Sequence, residues 1–112
     1  MGAPAGKPQV FVIGGNGRGI PVYRKLQRAG IPFIAGVIHS NDLDYDVAKA
    51  LAAEVISEEP FEAVTEEHLE KAEKMMDDCA EVICCVDKLV QLNAANRRLV
   101  EKAKRDGKLK TE

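Results

Sequence analysis

The residues best suited to chemistry stand directly after the first apolar run, as Gly14-Gly15-Asn16-Gly17-Arg18-Gly19. Glycines permit positive φ and let a backbone approach a phosphate closely. A helix starting here would turn its unpaired N–H groups and positive dipole end toward an anion. Arg18 would add a bidentate contact to phosphate or carboxylate. The fit to the dinucleotide pattern G-x-G-x-x-G is imperfect. Read from Gly15, the third glycine position holds Ile20; read from Gly14, the second holds Asn16. No Gly-Lys-Ser/Thr follows, so this is not a Walker A loop. A glycine-rich turn that binds nothing is the plainer alternative.

Other candidates lie farther along the chain. Dinucleotide sites place an acid near the end of the second strand, on a ribose diol. That region holds His39, Asn41, Asp42 and Asp44, with Asp42 the candidate acid. The competing reading has Asn41, Asp42 and Asp44 capping a helix. His39, Asp42 and Asp44 lack a fourth metal ligand, so no metal is expected. A later apolar run ends in Cys84-Cys85-Val86-Asp87. Neighbouring strand residues point to opposite faces, so both thiols do not enter one pocket. Cys85 and Asp87 are the ligand candidates there; buried cysteines acting as small hydrophobes are the alternative. No nucleophile–base pair emerges from the spacing, so no catalytic residue is assigned.

These residues need a scaffold, and the pattern supplies one. Gln9–Ile13, Phe33–Ile38, Glu54–Ser57 and Glu81–Val86 read as strands. Helices alternate with them. Pro21 suits a first helical turn, and Val22, Leu26 and Ala29 form the stripe of a helix ended by Gly30 and Pro32. A second helix covers Asp44–Ala53, its apolar face continuing to Val55 through Ala48, Leu51 and Ala52. Thr65 caps a third, with Leu69, Ala72, Met76 and Cys79 inward. A fourth runs from Lys88 to Arg105, with a basic end and Gly107 as terminator. Apolar strands separated by amphipathic helices imply a parallel sheet covered on both faces. The expected fold is α/β: a Rossmann-like three-layer α/β/α sandwich with a four-stranded parallel sheet. The favoured order is 3-2-1-4, and flavodoxin-like 2-1-3-4 competes. Residues 1–8 read as a flexible leader, 9–107 as the domain and 108–112 as a frayed tail.

Composition narrows the function classes. The chain has 112 residues, 46% hydrophobic and 30% charged, which suits one globular domain. A net charge of -2 without a basic stripe argues against nucleic acid. No apolar run reaches the roughly 18–20 residues needed to span a bilayer, and no signal-peptide core is present. Three cysteines without C-x-x-C spacing read as free thiols in a reducing cytoplasm.

Three segments carry a resemblance: Val12–Val22, Arg28–Leu51 and Val55–Phe61. They resemble a C-terminal extension of some ABC-transporter ATP-binding subunits, of the type for cobalamin or iron–siderophore uptake. The resemblance runs from Val10 to Ala103, without Walker A, Walker B or ABC signature. It implies a regulatory or ligand-sensing role beside a transporter, with ATPase or membrane subunits as partners, and transfers no catalytic residue.

Together these readings anticipate a non-catalytic regulatory domain that binds a nucleotide or other phosphate-bearing small molecule at the glycine turn. The cofactor is not named; a dinucleotide is one candidate. A small NAD(P)-dependent enzyme, or one half of a composite site in a homodimer, is the second reading. A protein-interaction module without a small ligand is the third.

Overall fold

The computed structural model describes residues 8–14, 17–39, 43–58, 66–85 and 94–111. Nine elements follow in order: β1 (Val10–Ile13), α1 (Ile20–Arg28), β2 (Phe33–His39), α2 (Leu43–Leu51), β3 (Glu54–Glu58), α3 (Glu66–Asp78), β4 (Glu81–Cys84), α4 (Ala94–Arg105) and β5 (Leu109–Thr111). The strands form one parallel sheet in the order β3-β2-β1-β4-β5. The expected 3-2-1-4 core is present. The flavodoxin-like alternative fails, because β1 pairs with β2 and β4.

Strand periodicity divides the core. Successive side chains of β1 face opposite ways, so both faces of this central strand are buried. Val10 and Val12 join Val22, Tyr23, Leu26 and Ala48 under α1 and α2. Phe11 and Ile13 join Ala72, Met76, Leu99 and Ala103 under α3 and α4. The helices therefore lie in two layers around the sheet. Of the expected stripes, Ala48 on α2 and Ala72, Met76 and Cys79 on and after α3 are buried in the cores, Leu51, Ala52 and Val55 pack partly buried against them, and Leu69 is half-buried outside both. In α1 the stripe shifts: Ala29 is exposed at the C-cap, and Tyr23 is buried instead. The Tyr23 ring stacks on Phe33, centroids 5.4 Å apart.

The C-terminal tail needs correction: residues 109–111 are a fifth strand, not a frayed end. Gly107, at φ +70°, turns the chain out of α4. Lys108 Nζ then donates to the carbonyls of Met76 and Asp77, which close α3. Val82 N–H donates to Lys108 O at 3.0 Å, and Leu109 packs on the core. A free edge on β4 and a glycine that can reverse the chain are enough to add a strand. The β4 strand itself is shorter than expected and stops at Cys84. The first part of the expected fourth helix, 88–93, and the proposed cap Thr65 lie outside the described residues.

Candidate functional site

In a parallel sheet, the crevice beyond the strand C-termini opens where strand order reverses. Here that point lies between β1 and β4. The β1–α1 turn sits over it. Gly14 is buried at the end of β1, Gly17 adopts φ +82°, Arg18 is exposed and Gly19 is the N-cap of α1. Gly17 is the position where positive φ requires glycine. On the other side, Cys85 continues the ladder from β4 by donating its N–H to Ile13 O at 2.9 Å.

The turn is held from within. Asp44, in the first turn of α2, is fully buried at 0% exposure. Its Oδ2 accepts the Gly19 N–H at 2.9 Å, across 25 residues of chain. The expected role for Asp44 was a cap on its own helix; its carboxylate serves α1 instead. Burying a carboxylate is costly without compensation. The Gly19 N–H and the positive end of α1 supply part of it.

That carboxylate also explains two glycines. A Cβ on Gly19 would lie 2.7 Å from Asp44 Oδ2 and 2.7 Å from Tyr23 Oη. A Cβ on Gly14 would lie 2.8 Å from Asp44 Oδ2 and 3.0 Å from Tyr23 Oη. Close approach is therefore required at both positions, as the glycine pattern suggested, but the approaching groups belong to the protein itself. Three positions at this helix end, among the described residues, offer a ligand no open N–H. Pro21 has none, the Gly19 N–H is taken, and Ile20 N–H points back to Gly17 O at 3.4 Å.

The remaining candidates separate. Gly15, Asn16, Asp42 and Asp87 lie outside the described residues, as does Asn41. His39 closes β2, its backbone paired in register with Glu58. Cys84 and Cys85 are both buried on opposite faces, Cys84 in the α3/α4 core and Cys85 in the α1/α2 core. Among the described residues, no group of three or more His, Cys, Asp or Glu is placed to hold a metal. Cys79 is buried away from the turn, and desolvation pushes its thiol up to about 11. Sequence reasoning missed Leu43, which is 73% exposed. Its Cδ1 lies 3.7 Å from where a Cβ on Gly17 would stand, so it forms an apolar rim beside the turn.

The model of the MJ0874 family matches residues 33–110, from β2 to within β5. The chain belongs to the MJ0874 family. It is similar to the uncharacterized protein MJ0874 of Methanocaldococcus jannaschii, 30% identical over 71 residues, which is 63% of this chain and 76% of that protein. The MJ0874 match contains Asp44, β4 and most of β5; the glycine turn precedes it. This assignment overturns the resemblance to the extension of ABC-transporter ATP-binding subunits. A glycine turn after a first strand and a proline-flanked second strand are features of parallel α/β folds at large, and a fold does not carry function. No helix among the described residues is long and apolar enough to cross a membrane.

Proposed function

We propose that this chain is a non-catalytic ligand-binding domain for a small phosphate-bearing molecule of the nucleotide class. The phosphate docks on the outer rim of the glycine turn, against the Gly17 backbone and the Arg18 guanidinium. The observation that carries this reading is the glycine turn itself. Gly17 at φ +82° and exposed Arg18 stand over the crevice where strand order reverses. Leu43 offers an apolar surface beside them for the ring of a nucleotide. We place the domain in the cytoplasm, a reading supported by three buried cysteines that form no disulfide.

A thermal-shift panel of AMP, ATP, NAD, NADP, FAD and S-adenosylmethionine tests it, run on the native chain and Arg18→Ala. A ligand at a hundred times its dissociation constant stabilises by about 2.7 kcal/mol. A rise in melting temperature that Arg18→Ala removes is the expected result. No rise with any compound ends this reading. The exposed Leu43 would then favour a protein partner, and Leu43→Asp should abolish that association.

A further inference from the structure

The Asp44 carboxylate lies where a turn of this kind would receive an anion. It sits between Gly14 and Gly19, within 2.8 Å of the Cβ positions both residues forgo. It takes the N–H that opens α1, and it is sealed from solvent. We propose that Asp44 is the resident anion of this turn, and that it keeps the pyrophosphate of a dinucleotide out.

Two features argue for exclusion rather than shared occupancy. A second anion would meet a like charge across a few ångströms of dry interior, where screening is weak. Among the described residues, the Gly19 and Ile20 N–H groups are also spent, on Asp44 and Gly17, and Pro21 has none. The inference deepens the proposed function and, for the ligand, rests on it. The incoming phosphate stays on the Gly17–Arg18 rim, which suits a mononucleotide better than a dinucleotide threaded across the turn.

The experiment is anion rescue. Native protein, Asp44→Ala and Asp44→Asn are melted in sodium chloride, sodium formate and inorganic phosphate at matched ionic strength. The native chain controls for general salt effects. Asp44→Ala should gain several degrees more than native in formate or phosphate, because the added anion takes the vacated place. Asp44→Asn keeps the side-chain shape without the charge, and should bind inorganic phosphate and NAD at least tenfold more tightly than native. If either variant fails to fold in chloride, refolding it by phosphate titration gives the same information. Rescue restores the native circular dichroism; its absence counts against the proposal.

Equal responses of native and variant chains to every anion overturn the proposal. Failure of the ligand reading looks different: the native chain ignores every nucleotide while anions still rescue Asp44→Ala.

Discussion

Two regions of this molecule use charge in opposite ways. At the glycine turn, one carboxylate is wholly buried and ties α2 to the start of α1. Across the sheet, α3 and α4 are joined by a surface seam. Arg98 reaches Glu66 at 2.8 Å and Glu73 at 2.9 Å. Lys102 reaches Asp77 at 2.8 Å and Asp106 at 3.0 Å. The seam has more charges at similar distances, yet all of its groups keep some contact with water. Arg98 is 37% and Glu66 63% exposed at the side chain. Exposed pairs gain little because water screens them and their long side chains lose freedom. Removing a single buried carboxylate leaves a stranded donor and a hole. The number of ion pairs is therefore a poor guide to where this fold is vulnerable.

The sharpest way to break the comparison is Asp44→Ala. It leaves the Gly19 N–H without its acceptor and opens space beside Tyr23. Urea denaturation should show a loss of about 2–4 kcal/mol. Gly19→Ala comes next. Its methyl group would strike both Asp44 and Tyr23 at 2.7 Å, and overpacking of this kind costs about 1–3 kcal/mol. Gly107→Ala isolates backbone strain, since φ is +70° and no atom lies within 4 Å of the new methyl. It should cost about 1 kcal/mol. Hydrogen exchange should also quicken at the Val82 amide, whose acceptor is Lys108 O.

The seam should respond least. Arg98→Ala is expected to shift the urea midpoint only slightly, and less again in high salt. A loss as large as that of Asp44→Ala would break the comparison. The seam also has a pH signature. Hydrogen bonding from Arg98 lowers the pKa of Glu66, and hydrogen bonding from Lys102 lowers that of Asp77. Both folded-state values lie below the ordinary 4.5 and 3.8. Their contribution is therefore present above those values and fades as pH falls through the folded ones. Urea midpoints measured from pH 6 down to pH 3 should fall less steeply in a chain carrying both Arg98→Ala and Lys102→Ala than in the native one.

Legibility differed between fold and site for a physical reason. Strand and helix positions follow from local periodicity, so the first four strands and most inward residues of α2 and α3 could be read directly, while the choice between the orders 3-2-1-4 and 2-1-3-4 fell to the structure. Gly30 and Gly107 were legible as helix terminators, and both take positive φ. The β5 strand was not. Its three residues, Leu109-Lys110-Thr111, have no pattern of their own and depend on the free edge of β4. The site was half legible. A phosphate close to the glycine turn was expected; the groups that come close to Gly14 and Gly19 are Asp44 and Tyr23. An acid in the first turn of α2 reads locally as a cap for that helix. Only its burial and its distance to Gly19 assign it to α1.

The sequence by itself therefore determined the α/β class, the alternation of elements and the place of the glycine turn. Those features depend on periodicity and on backbone freedom, which are properties of a few neighbouring residues. The tertiary structure alone decided that the turn already holds a carboxylate, that Tyr23 rather than Ala29 is buried, that the two adjacent thiols enter separate cores, and that the tail becomes a strand. Each of these depends on residues far apart in the chain meeting in space, and no local pattern records such a meeting.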